Sequence, residues 1–479
     1  MSAASGRVTR DATEFLLRCR PALYPRGMPR KIAIVGSGIV GLQMAHGLRK
    51  AGHDVALFSD RSAQTWLEQS APTGGAGRFR DACELERELG LSHWEADTPW
   101  VGGVHLTMSL SAKNRVLTAV ATVDGPAAAV DMRMQIHRWM NDLEAGGGRV
   151  VIGALDVEKL DAVAADHDLT LVAVGRGPLC KLFTRDDARS VREAPPRHLA
   201  MAIVKGPPMK FEGVPFIPVK FNISPQEGEA FWVPYLHKDQ GATWTLLVES
   251  KTGTSLDRFR DCKDGHDVVA RMIKLIEERF PWDYEWVKES KLADERAWLA
   301  GEVLPSIRGP VADLPSGRSV LALGDTAVSM DPCAGQGANN GAKMVRSYLA
   351  SIAARGDQPF DTQWMREAFE RFFADEGERT YTFSDVLTQP MAKAGQNLLI
   401  AQYGSTGAGD STEQRIANAI AHNFVDPRTL THCFTDLEAS NAFIAKMSGG
   451  SARWHLLKKT LAIGKQQLRQ ALGLAPQHP

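Results

Sequence analysis

The segment Gly36-Ser-Gly38-Ile-Val-Gly41 constrains the fold of this chain more than any other, because of what stands on either side of it. Before it runs Lys31-Ile-Ala-Ile-Val35, a short apolar stretch of the kind a buried parallel strand shows. After it comes a helical stretch from Leu42 to Lys50, stopped at Gly52, and then a second strand, Val55-Ala-Leu-Phe58. Together these form a βαβ unit, the context in which GxGxxG marks a dinucleotide site and not a surface turn. Gly36 permits the tight turn, Gly38 lets the backbone approach a pyrophosphate, and Gly41 allows the helix to pack close to the strand. The helix N-terminus offers its free N–H groups to the phosphates. An acid for the ribose hydroxyls normally closes the second strand. Here that position falls near Ser59 and the carboxylate follows as Asp60, beside Arg61, so the adenosine end is expected to be held less tightly.

At 479 residues the chain is too long for one ordinary core and implies two or three domains. Residues 131–145 have helical spacing and stop at Gly146 to Gly148; a strand, Arg149 to Ile152, and a buried run, Leu169 to Val174, follow. From about 181 to 300 prolines recur, and alternating stretches such as Ala230-Phe-Trp-Val233 and Thr243-Trp-Thr-Leu-Leu-Val248 read as antiparallel strands. The strand Ser319 to Leu323 returns to the first texture, and beyond residue 353 the pattern is helical. The expected class is α/β. A discontinuous Rossmann-like nucleotide domain spans 29–93, 126–180 and 301–352. An antiparallel-sheet substrate domain (94–125 and 181–300) is inserted in it, a helical region covers 353–447, and a basic amphipathic tail covers 448–479.

Lys plus Arg and Asp plus Glu both number 56, and this zero net charge argues against a nucleic-acid binder. No stretch approaches the roughly 18–20 apolar residues a membrane helix needs. The six cysteines (Cys19, Cys83, Cys180, Cys262, Cys333 and Cys433) form no CxxC pair and no zinc spacing, so no metal is expected and a reducing, cytoplasmic setting is. The first 28 residues carry Arg7, Arg10, Arg18, Arg20 and Arg26 without the apolar core of a secretory signal. They read as a flexible extension, with Met28 an alternative start; Asp11 and Glu14 argue against a transit peptide.

A second motif answers the first. It reads Ala322-Leu-Gly324-Asp325-Thr-Ala, then Met330-Asp331-Pro332-Cys-Ala-Gly335-Gln336-Gly337-Ala338-Asn339-Asn. A carboxylate at a strand end can accept a hydrogen bond from a ribityl hydroxyl. Bare N–H groups at a helix start, facing the pyrimidine edge of a flavin, favour its anionic reduced form. Either segment alone has a structural reading; the two in this order point to FAD.

This pair resembles the p-hydroxybenzoate hydroxylase-like flavoproteins, and within that fold the chain is similar to the styrene and indole monooxygenases. The resemblance runs through Lys31 to Gly41, Phe58 to Arg61, Val130 to Arg133, Asp168 to Gly175, Gly324 to Asn340 and Asn423 to Pro427. It implies an enzyme in which reduced FAD and O2 form a C4a-hydroperoxide that epoxidises or hydroxylates a small aromatic alkene or indole-like substrate. Single-component hydroxylases of the fold carry an Asp-Gly motif that helps bind FAD and NAD(P)H. The corresponding strand here ends Ala173-Val-Gly175-Arg-Gly177, and there is no second dinucleotide fingerprint. Reduced FAD is therefore expected from a separate NAD(P)H:flavin reductase, and oxidised FAD is expected to be held weakly.

The resemblance also places Arg133 close to the flavin, although a helix-start surface role is equally open. Pro332 and the backbone of Gly335 to Gly337 are expected to flank the isoalloxazine. Asn339 is the polar catalytic candidate, its alternative being satisfaction of backbone groups at the helix start. One or two of Phe216, Phe231, Trp232, Tyr235 and Trp244 are expected to line the substrate pocket. In place of the family's Arg and nearby polar residues beside the flavin the chain reads Thr73-Gly-Gly-Ala-Gly77, with Arg78 or Arg80 as a substitute charge. Three rivals stand beside this reading: a self-sufficient NAD(P)H hydroxylase, a non-catalytic flavin binder, and a halogenase. The halogenase Trp-x-Trp-x-Ile-Pro stretch is not matched by Phe231-Trp-Val-Pro234. The tail from 452 to 474 is basic and carries no acid; packing on its own domain or in a homodimer is expected ahead of membrane attachment.

Overall fold

The computed structural model describes residues 28–72, 77–111 and 114–471. The N-terminal extension before Met28 and residues 73–76 of the glycine segment lie outside the described residues. Two sheets organise the chain. The first has six strands in the order Val311–Asp313, Ser319–Ala322, Leu169–Val172, Lys31–Val35, Asp54–Ser59 and Arg149–Ile152. All its pairings are parallel except that of the edge strand Val311–Asp313. The central strands bury almost every side chain, as parallel strands covered on both faces must. Ile34, Leu57, Leu171 and Leu321 share one core with Leu42 and Leu48 of the first helix, Ile39–Lys50. Trp139 and Leu143 of the helix Met132–Ala145, and Val345 and Leu349 of the long helix Gln336–Arg355, complete it.

The second sheet has eight strands, drawn from Val101–Ser111, Asn114–Ala127 and residues 198–302. It is antiparallel as the alternating pattern suggests, with one difference. Gly103–Met108 pairs in parallel with Pro218–Ile223, because the chain passes through the first sheet between these strands. Gly102 and Gly103 seat the Phe216 side chain: a Cβ on Gly102 would lie 2.7 Å from Phe216 Cβ, and one on Gly103 would lie 2.6 Å from Phe216 Cζ. One face of this sheet, with Trp232, Trp244, Leu246 and Val248, packs against Val268, Met272 and Ile276 of the helix Gly265–Arg279.

The two halves of the first sheet are clamped at glycines. A Cβ on Gly341 would lie 2.4 Å from Val40 Cγ2, and one on Gly324 would lie 3.2 Å from Val40 Cγ1. Farther along the same helix pair, a Cβ on Gly47 would meet Leu349 at 2.5 Å. Inside the turn, a Cβ on Gly41 would stand 2.0 Å from the Gly36 carbonyl oxygen, whereas one on Gly38 meets nothing within 4 Å. Gly41→Ala is therefore expected to cost on the order of 1–3 kcal/mol in urea unfolding of the flavin-free protein. Gly38→Ala should change it by less than about 1 kcal/mol.

Candidate active site

At the pyrophosphate end, Gly36 has φ +115°, and a Cβ there would stand 2.3 Å from the Ala173 carbonyl oxygen. Only glycine brings this turn against the end of the strand Leu169–Val172. Gly38 caps the first helix without a side-chain hydrogen bond, so the helix-start amides are not claimed by a capping group. Ser59 ends the second strand in register with Ile152 and is buried. Its hydroxyl lies 2.7 Å from Ser37 Oγ and donates to the Arg61 carbonyl at 2.6 Å. Asp60 is exposed and pairs with Arg61 at 3.0 Å, while the Arg61 guanidinium lies over the Trp66 ring at 4.4 Å. The loop thus does not absorb the one-residue offset of the acid: a hydroxyl occupies the buried strand end and the carboxylate stands outside.

At the other end, Gly324 (φ +64°) turns the chain so that Asp325 lies beside the start of the long helix; a Cβ on Gly337 would stand 3.8 Å from Asp325 Oδ1. No hydrogen bond from a described residue reaches this carboxylate. Burial pushes the Asp325 carboxyl above its ordinary value, with Arg176 and Arg308 opposing the shift. Asp331 Oδ1 accepts from Cys333 N at 3.1 Å and caps the turn Pro332–Ala334, and Gly335 (φ +61°) leads into the long helix, again without a side-chain cap. Around this bend Pro332, Gly335, Gly337 and Ala338 are half-exposed, while Gln336 and Asn339 are buried. The Gln336 amide donates to the carbonyls of Ala334 (3.0 Å) and Phe424 (2.8 Å). Asn339 accepts from Phe79 N at 2.8 Å and donates to the carbonyls of Gly77 and Gly335. Both amides therefore hold backbone in place, and the open side of the bend presents main chain and Pro332.

The donor set fits a flavin dinucleotide. Two uncapped helix starts supply N–H groups, one beside the glycine turn and one beside Asp325. Asp325 supplies a half-buried acceptor that takes no hydrogen bond from the described residues.

The second sheet turns its other face to this bend. One row across four strands, Phe221–Phe231–Leu247–Met201, is wholly apolar, and Phe221, Leu247 and Met201 are only half-buried. Phe231 stacks on Phe221 at 5.0 Å, and the aromatic contacts continue through Phe424 and Phe383, which packs with Cys333 and Ala334. The next row carries Glu229 and Glu249, and both bond the buried Arg197, which also reaches Asp331. Three carboxylates crowd one cation here, and burial raises the Glu249 carboxyl well above the usual range. This cluster fastens the sheet to the bend. Arg197, Glu229 and Glu249 carry no local sequence signal, since each sits singly in a separate stretch of strand or loop.

Of the five aromatic candidates, Phe231 and Tyr235 lie on this face, Tyr235 donating to the Pro72 carbonyl at 3.2 Å. Trp232 and Trp244 point into the opposite core, and Phe216 covers glycines. The Arg133 guanidinium is committed to Asp131 (2.6 Å), Asp294 (2.9 Å) and His237 (3.0 Å) at the join of its helix with the second sheet. Arg78 pairs inside with Glu86 at 2.7 Å, and Arg80 is engaged by Asp81 and Asp124, so neither offers a free charge.

Known flavin-dependent enzymes share this fold. The fold is shared with the flavin-dependent halogenase CmlS (TM-score 0.57, 15% identity, covering 92% of this chain and 78% of that one). It is shared also with a mutant of the halogenase PltM in complex with FAD (TM-score 0.56, 12% identity, 94% and 93%). The fold, with two uncapped helix starts beside a GD carboxylate, suits FAD, and the named relatives below point to an FAD-dependent monooxygenase. Residues 175–286 match the family model described as "Styrene monooxygenase A putative substrate binding domain". Styrene monooxygenase StyA of Pseudomonas fluorescens is 28% identical over 320 residues, 65% of this chain and 74% of that protein. The StyA of a Pseudomonas species is 28% identical over 333 residues (68% and 76%). The chain is thus similar to the styrene monooxygenases across its second sheet and over about two thirds of its length.

The Asp325 carboxyl, raised by burial, costs the flavin-free fold stability. That cost sets in as pH rises through the ordinary value near 3.8 and is complete above the raised folded value. Asp325→Asn should therefore raise the melting temperature of the flavin-free protein at pH 7 while weakening FAD binding at least about tenfold. Calorimetry with and without FAD separates the two effects.

Proposed function

We propose that this chain is the oxygenase component of a two-component flavin monooxygenase. It receives FAD already reduced by a separate NAD(P)H:flavin reductase and oxygenates a small aromatic alkene or indole-like substrate. The observation that carries the reading is the apolar row Phe221–Phe231–Leu247–Met201, set beside the bend Pro332–Ala338 by the Arg197 cluster. Delivery by a separate reductase is supported by the strand end Ala173-Val-Gly175-Arg-Gly177, which stands where Asp-Gly would help bind a nicotinamide nucleotide. The five described cysteines are all free, in keeping with a reducing, cytoplasmic setting.

Reduced FAD, when bound, supplies the two electrons that activate dioxygen; one oxygen atom enters the substrate and the other leaves as water. The chain does the rest. The amides of the glycine turn and the first helix would hold the pyrophosphate, and Asp325 would accept from the ribityl chain. The amides from Gly335 to Ala338 would hold the flavin ring, and the helix start there would favour negative charge on its reduced form. Pro332, on the open side of the bend, would help to hold the ring. Phe231 and Leu247 hold an apolar substrate against that side and keep water out, which protects the oxygenation from unproductive loss of peroxide.

The test is stopped-flow mixing of the protein, loaded anaerobically with reduced FAD, with oxygenated buffer, with and without styrene or indole. The expected result is a flavin reoxidation phase whose rate changes with substrate, together with oxygenated product. Reoxidation indifferent to both, with hydrogen peroxide the only product, would sink the proposal. Rapid flavin reduction by NADH in the isolated protein would favour the self-sufficient hydroxylase. Phe231→Ala should lower kcat/KM for styrene by roughly 10- to 100-fold through lost apolar contact, with FAD affinity within about twofold of the parent.

A further inference from the structure

The last described helix, Ala452–Ala471, is held to the protein by one side only. His455 lies 2.9 Å from the Ala401 carbonyl, Lys459 pairs with Glu413 at 2.5 Å, Gln466 bonds the Tyr403 hydroxyl, and Ala452 and Leu456 join the apolar cluster beneath. At 100° per residue the opposite side is occupied by Trp454, Leu457, Leu461 and Leu468, which fall within about 60° of arc. All four are exposed, at 64, 46, 65 and 61%. They are four of the ten large apolar side chains that the described residues leave exposed, so the stripe is a concentration and not scatter. Lys458, Lys465 and Arg469 run along one border of the stripe and Arg453 along the other, all exposed, and the helix contains no acid.

We infer that this outer stripe is a docking face for an anionic lipid surface. A tryptophan and three leucines between rows of lysine and arginine suit the boundary between headgroups and acyl chains, and the cations suit anionic headgroups. Charge also separates this occupant from two others. A second copy docking by a two-fold axis would bring like-charged rows together. The segment before Met28 is itself basic, with five arginines against Asp11 and Glu14. Among the described residues no helix is long and apolar enough to cross a membrane, so the contact is peripheral. This revises the expectation from composition alone, which favoured packing on the protein: the inner side packs, and the outer side is left over.

The experiment is flotation of the full FAD-loaded chain with vesicles of phosphatidylcholine, alone or with phosphatidylglycerol. The parent protein should float with the phosphatidylglycerol vesicles and release at high salt. Leu461→Glu should abolish flotation. Lys458→Glu with Lys465→Glu should weaken it on the order of tenfold or more, each cation at an anionic surface being worth roughly fivefold. Both variants should keep the parent's FAD affinity and melting temperature, since none of these side chains touches the inner contacts. No flotation, or equal flotation with phosphatidylcholine alone, overturns the inference. So does a dimer, or a complex with an acidic protein, that Leu461→Glu dissolves while vesicles remain unbound.

Discussion

The close approach at Val40 is the constraint on which the site depends. Val40 belongs to the first glycine motif, and its side chain lies against Gly324 and Gly341 of the second. Any side chain at Gly341 would push the long helix away, and with it the uncapped helix start and Asp325. Gly47 against Leu349 repeats the same small-against-large contact farther along the pair. Two segments far apart in the chain therefore present their helix starts to one region because glycine lets two backbones approach. The electrostatic consequence is that backbone amides and the half-buried Asp325 carboxylate gather where no described side chain caps or bonds them, an arrangement suited to phosphates and hydroxyls.

The join between the two sheets is made differently, by buried charge. Arg197 meets Glu229, Glu249 and Asp331, and Arg133 meets Asp131 and Asp294. Such groups are costly to bury and are weak evidence for stability in themselves. Their directional bonds fix one sheet against the other in a way that apolar contact alone does not. At Arg197 the carboxylates outnumber the cation, and burial raises the Glu249 carboxyl well above its usual range. The pair Arg133–Asp294 runs the opposite way: hydrogen bonds from His237 and the Arg296 backbone, with the Arg133 charge, outweigh burial and hold the Asp294 carboxyl well below the usual carboxylate range.

Much of the site was legible as residue types in a fixed order. The glycines at 36, 38 and 41 and the pair Gly324-Asp325 act through backbone geometry and a strand end, and both are local. The roles of Asn339 and Gln336 were not legible. Each is an amide near a flavin motif, and only the positions of Gly77, Phe79 and Phe424, far off in sequence, turn them into backbone clips. The aromatic candidates show the same limit. Phe231 and Trp232 are neighbours with equal claims, and strand alternation sends one to the bend and the other to a closed core once the pairing with Leu247 and Leu246 is fixed.

By itself, then, the sequence determined the α/β class, the inserted sheet, the FAD fingerprint and the likeness to styrene monooxygenases, because strand periodicity, glycine turns and a GD strand end are properties of neighbours along the chain. Tertiary structure alone decided which face of the second sheet meets the bend Pro332–Ala338, that Arg197 binds three acids from separate elements, and that the tail helix leaves its apolar stripe outside. Those outcomes depend on register and on packing between distant segments. A one-residue slip, or a helix turned half about its axis, would reverse each of them without changing a single local preference.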